Sequence, residues 1–152
     1  MISPTAEYAL RAVVAIAQAN GDTAVTQRIA KSTKVPPGYL SKVLQTLGRA
    51  GLVESKRGLG GGFRLAKPAN EISLLEVVNA VDPIKRIREC PLGLETHGAD
   101  LCPLHKRLDD AIEHVERCFA HTTISELLVQ PGRTTPFCES STRGVGVDLA
   151  AL

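Results

Sequence analysis

Aromatic side chains are nearly missing from this 152-residue chain: three Phe, two Tyr and no Trp. A core built on stacked rings is therefore excluded, and the 43% of hydrophobic residues must pack as aliphatic side chains. Long apolar runs are missing too. None reaches the roughly 18 residues that a membrane-spanning helix needs, so no membrane partner is expected. Glu7 and Arg11 interrupt the early apolar pattern, against a secretory leader. The expectation is a cytoplasmic protein. Cysteine is scarce, at four residues, and in a reducing compartment those four are expected as thiols, metal ligands or redox groups and not as structural disulfides. The length suits one domain, or a small domain with an appended element.

Net charge is only +2, but it is unevenly placed. Residues 1–69 carry ten Lys and Arg against three acids (Glu7, Asp22 and Glu54), a net +7, and the remainder carries −5. The basic half is where a polyanion would bind.

The most informative stretch is Val35 to Leu65. Leu40, Val43, Leu44 and Leu47 recur at spacings of three and four, which predicts a helix with one apolar stripe. Pro36 and Pro37 suit its first turn, where no backbone N–H is needed, and Gly48 and Gly51 end it. Val53–Ser55 and Phe63–Leu65 read as two short strands joined by the basic, glycine-rich Lys56-Arg57-Gly58-Leu59-Gly60-Gly61-Gly62. A helix followed by a basic two-stranded loop is the core of a winged helix-turn-helix. The helix fits the major groove, and the loop can follow phosphates or enter the minor groove. A nucleotide phosphate loop should follow a buried strand and open a helix; these glycines follow a helix and precede a strand, so that reading is set aside.

Away from its apolar stripe, the helix presents Tyr39, Ser41, Lys42, Gln45 and Arg49. Gln pairs bidentately with adenine, and Lys or Arg with guanine. Ser41, Lys42 and Gln45 are the candidates for base contact, Tyr39 and Arg49 for backbone contact. In the wing the candidates are Lys56, Arg57, Gly60, Gly61 and Arg64.

The other elements follow from the same signals. Thr5–Gln18 predicts a helix with Thr5 as N-cap, stopped by Asn20-Gly21. Thr26–Ser32 predicts a second helix, capped by Thr26. Ser73-Leu74-Leu75-Glu76 fits a capping box, with a helix to about Val81. Residues 84–102 lack periodicity. Pro103 opens the longest helix, on which Leu104, Leu108, Ala111, Ile112, Val115, Cys118 and Phe119 form one stripe; Cys118 is expected in the core. Such a helix needs a partner surface, and a twin from a second subunit would match a palindromic operator. Thr123 to Glu126 is a second capping box, with a short helix to Leu128.

These readings give a mainly α fold with a small β-wing. A winged helix-turn-helix domain spans 1–82, a sensor loop 83–102, a dimerisation helix and short helix 103–130, and a tail of fading pattern 131–152. Cys138, in the tail, is read as incidental.

Tyr39-Leu40, the run Leu47-Gly48-Arg49-Ala50-Gly51-Leu52-Val53, and Ser55-Lys56-Arg57-Gly58 with Gly61-Gly62 and Leu65-Ala66 resemble the Rrf2 family of bacterial regulators, over about residues 2–128. The resemblance implies a winged-helix DNA-binding regulator that dimerises through the long helix.

Cys90, Cys102 and His105 lie in CPLGLETHGADLCPLH. A Cys-Pro-Leu-His at a helix start, with another Cys on the preceding loop, has the look of a metal site, since thiolates bind iron–sulfur clusters and His can replace Cys. In cluster-binding members of the family, three cysteines stand with five residues between neighbours. Cys90 and Cys102 match the first and third, and Thr96 stands at the middle position. The resemblance also implies ligand roles for His105 and for Glu7, the latter reaching across from the other subunit. His97, beside Thr96, is a further imidazole. A 2Fe–2S site from Cys90, Cys102 and two of His105, Glu7 and His97 leads. Zinc on the same ligands and a Cys90–Cys102 thiol switch stay open. An enzyme with a cysteine nucleophile lacks any accompanying catalytic constellation. The expected function is a homodimeric regulator of transcription, a repressor, bound to double-stranded DNA and sensing cluster or redox state.

Overall fold

The structure is a computed structural model, and it describes residues 2–91, 101–129 and 136. Thr96, His97, Cys138 and all of the tail except Pro136 lie outside the described residues. The element order is α1 (Pro4–Ala17), α2 (Thr26–Thr33), α3 (Pro37–Arg49), β1 (Val53–Lys56), β2 (Gly62–Leu65), a single 3-10 turn (Ala69–Glu71), α4 (Leu74–Val81), α5 (Pro103–His121) and α6 (Ile124–Val129).

Helices α1, α2 and α3 pack around one aliphatic core. Ala9, Ala12, Val13 and Ile16 of α1 meet Ile29 and Ala30 of α2 and Leu40, Val43, Leu44 and Leu47 of α3. Ile72, Leu74 and Val77 close it from the α4 side, and Ile124 of α6 is fully buried in the same cluster. The small residues along α1 let its neighbours approach closely, which is how a chain nearly without aromatic rings fills its interior.

Two caps differ from the sequence reading. Ser3, not Thr5, caps α1: its hydroxyl accepts from the Ala6 N–H at 3.2 Å. Pro4 at the first helical position explains the shift, because proline is suited to that place and Ser3 then falls at the cap. Thr26 is the first residue of α2 and no cap; Val25 holds the cap position without a side-chain bond. The box at Ser73 forms as expected, with both reciprocal bonds to Glu76. Thr123 and Glu126 form the second. The two boxes also meet: Leu74 N–H donates to Thr122 O and Ile124 N–H to Ile72 O, both at 2.9 Å, so the starts of α4 and α6 are tied antiparallel.

Strands β1 and β2 pair in the register Val53 with Leu65 to Lys56 with Gly62. The wing is anchored by a third partner that no alternating pattern announced. Ala24, just before α2, exchanges two backbone hydrogen bonds with Phe63, at 2.8 and 2.9 Å. The three helices and this wing form a winged helix-turn-helix.

Helix α5 leaves most of its apolar stripe uncovered by the described residues, as a helix that needs a partner surface would. Among its residues only Asp109 is buried. Leu104, Leu108 and Val115 are exposed by 64, 47 and 39%, and Cys118, expected in the core, is exposed as well. Phe119 reaches the core cluster, so the helix docks at its C-terminal end and offers its stripe outward. No helix among the described residues is long and apolar enough to cross a membrane.

Candidate nucleic-acid interface and sensor cluster

Helix α3 buries Leu40, Val43, Leu44 and Leu47 and thereby turns its other face outward. Ser41, Lys42, Gln45 and Arg49 are all exposed on it. Ser41 Oγ donates to Pro37 O within the helix. Tyr39 is at the helix start, and its ring meets Tyr8 of α1 edge-on, with centroids 5.6 Å apart and an interplanar angle of 77°. Its hydroxyl bonds the Thr5 hydroxyl. Tyr39 thus fastens α3 to α1 while leaving part of its edge exposed.

In the wing, Lys56 and Arg57 are exposed. Arg64 pairs across the strands with Glu54, Nε to Oε1 at 2.5 Å, so part of its charge is met within the protein. Gly60 is held by Thr23, whose hydroxyl donates to its carbonyl at 2.5 Å. Gly61 is needed for shape: a Cβ there would come 2.7 Å from Lys56 O and 2.8 Å from Gly58 O.

The second site is at the start of α5. Cys102 is the N-cap residue, followed by Pro103, and His105 lies one turn in. Its Nδ1 is 3.2 Å from Cys102 Sγ and 3.9 Å from Cys90 Sγ. Cys90, Cys102 and His105 are all half-buried. Thiolate sulfur and imidazole nitrogen are donors that suit iron–sulfur clusters or zinc. The set is incomplete: among the described residues no group of three or more His, Cys, Asp or Glu is arranged to enclose a metal ion. Glu7, on α1, is half-exposed and ion-paired with Arg11, and Arg11 also donates to Thr33 O at 3.2 Å.

One group here escaped the sequence reading. Arg86, in the loop after α4, holds Asp109 of α5 through two bonds of 2.7 and 2.6 Å and Glu113 through a third of 2.9 Å. Its other terminal nitrogen lies 3.5 Å from Glu116. The Ile87 N–H donates to Asp109 as well, at 2.9 Å. The Arg86 guanidinium holds the Asp109 carboxyl down to about 2, and its own pKa is raised in turn, chiefly by the bond to Asp109. The segment that follows α4 is therefore bolted to α5, and Cys102 stands at the start of the same helix.

The sequence model of the Rrf2 family, described as iron-dependent transcriptional regulators, matches residues 2–130. The chain belongs to the Rrf2 family. It is 31% identical to the HTH-type transcriptional regulator IscR of Cereibacter sphaeroides, over 97% of this chain and 99% of that one. An HTH-type transcriptional regulator of Mycobacterium tuberculosis is 40% identical over 94 residues, which is 60% of this chain and 58% of that relative's length. Among solved structures, CymR, the global cysteine regulator of B. subtilis, superposes with a TM-score of 0.70 at 25% identity, covering 84% of this chain and 95% of that one. The winged-helix reading therefore holds, and the family to which the chain belongs is one of transcriptional regulators.

Proposed function

We propose that this Rrf2 protein acts as a homodimeric repressor on a palindromic operator and that the cluster of Cys90, Cys102 and His105 sets its affinity for DNA. The observation that carries the reading is the convergence of both sulfurs on one imidazole nitrogen, at 3.2 and 3.9 Å, at the first turn of α5. These residues would hold a 2Fe–2S cluster, with the remaining ligand supplied by His97 or by Glu7 of a second copy. When bound, the cluster supplies a redox state and a net charge that depend on iron supply and oxidants. What this chain's own residues add is a mechanical link. Cys102 stands at the N-cap position of α5 and Arg86 fixes the segment after α4 to the same helix, so a change between them bears directly on the helix whose exposed stripe would meet its twin. Two reading helices on a dimer must match half-sites about one helical turn, some 34 Å, apart; a shift of α5 alters that spacing.

Iron and acid-labile sulfide content, with the visible absorption spectrum, of protein purified without oxygen tests the reading. Equal amounts of iron and sulfide and a brown colour are expected. Zinc in place of iron would assign the same donors to zinc. Absence of any metal would leave the two sulfurs as a thiol–disulfide pair.

A further inference from the structure

We infer that Leu59, at the tip of the wing, is an apolar wedge that enters the minor groove of duplex DNA and levers apart a base step there. The inference rests on the DNA-binding reading and adds a residue that specifies sequence by deforming the duplex.

Leu59 is the most exposed large hydrophobic side chain among the described residues, at a relative exposure of 106%. Single exposed leucines are ordinary on protein surfaces, but this one is held out by a built turn. The Gly61 N–H donates to Gly58 O at 2.9 Å, and Gly60 has φ +75°. With Leu59 outside the positive-φ residues, these are the marks of a type II turn carrying Leu59 at its second position and glycine, as required, at its third. The turn is fixed from outside by the Thr23 hydroxyl on Gly60 O and from below by the Ala24–Phe63 bonds. Gly62 packs so closely on Ala24 that a Cβ would lie 2.6 Å from its carbonyl oxygen. The side chain is therefore presented on a stiff support, with no apolar neighbour among the described residues to fold back on.

The surroundings favour DNA as the occupant. Lys56 and Arg57 immediately precede the turn and are exposed, which matches phosphates flanking a groove. An apolar side chain between two base pairs partly unstacks them and kinks the duplex towards the major groove, the groove that α3 would occupy. Pyrimidine–purine steps yield most easily, so Leu59 should select such a step under the wing without any hydrogen bond to a base.

The test uses the full chain and a duplex that it selects from a random pool. A 2-aminopurine reporter is placed at the step beneath the wing. The wild-type protein is expected to brighten the reporter by unstacking it and to prefer a TA or CA step there over a GC step. Leu59→Ser should bind about tenfold more weakly, leave the reporter dark and lose the step preference, with the slope of log K against log salt unchanged because no charge is lost. Leu59→Met should keep all three. Equal reporter signal and equal step preference in wild type and Leu59→Ser would overturn the inference while leaving DNA binding intact. Failure of the wild-type chain to select any duplex would overturn the DNA-binding reading itself, and the wedge with it.

Discussion

Arg86 grips Asp109 with two parallel hydrogen bonds, Nε to Oδ1 at 2.7 Å and a terminal nitrogen to Oδ2 at 2.6 Å, and so ties the segment after α4 to the middle of α5. The Asp109 carboxyl titrates near 4 in an unfolded chain and at about 2 in the folded one. Its folded pKa is depressed, so the stabilisation is whole above about pH 4 and fades as pH falls towards 2. Thermal unfolding of Asp109→Asn should show a Tm several degrees below wild type at neutral pH, and the gap should close on acidification through that window. A gap independent of pH would contradict the assignment.

Arg86 shows why part of the molecule was not legible. It sits in a segment with no periodic pattern, and its partners are distant in sequence, so nothing local marks it. The usable signal was on α5: Asp109, Glu113 and Glu116 lie on one helical face beside an otherwise apolar stripe, which asks for a buried cation. Ala24 was missed for a similar reason, since a one-residue bridge has no alternation to read. By contrast, α3, α4 and α5 were legible because each combines a 3.6-residue stripe with a proline or a capping box at its start. For α5 the sequence shows an apolar face that needs a partner, and the structure shows that Leu104, Leu108 and Val115 are exposed among the described residues.

That uncovered stripe gives a second prediction. Leu108→Glu places a charge in the proposed contact between two α5 helices and leaves the core cluster untouched. Sedimentation should report a folded monomer, and affinity for a two-half-site duplex should fall at least tenfold with unchanged circular dichroism. A wild-type chain that is already monomeric would remove α5 as the dimer surface.

The reading face of α3 separates base contacts from phosphate contacts. Gln45→Ala should cost about 1–3 kcal/mol on the selected duplex and nothing on one altered at the base that Gln45 reads. Arg57→Ala should weaken binding to all duplexes alike and lower the salt slope by about one. Titrations at several salt concentrations check both; a sequence-blind loss for Gln45→Ala would move that residue to the backbone.

Gly61 links wing shape to binding. Gly61→Ala must displace the Lys56 and Gly58 carbonyls, which its Cβ would meet at 2.7 and 2.8 Å. The tip of the turn lies outside the core cluster, although its base rests on Ala24 and Phe63, so melting should fall by no more than a few degrees while DNA affinity drops about tenfold, close to the loss expected for Leu59→Ser. Full affinity in this variant would show that the turn's shape does not matter.

The most direct test of the central claim is the dissociation constant for the selected duplex, measured by fluorescence anisotropy on anaerobically purified protein and again after oxidation, for wild type and for Cys102→Ala. The account predicts a change of at least tenfold on oxidation of the wild type and none in the variant. Equal affinity of the wild type in both states would mean that Cys90, Cys102 and His105 do not control this regulator's hold on DNA.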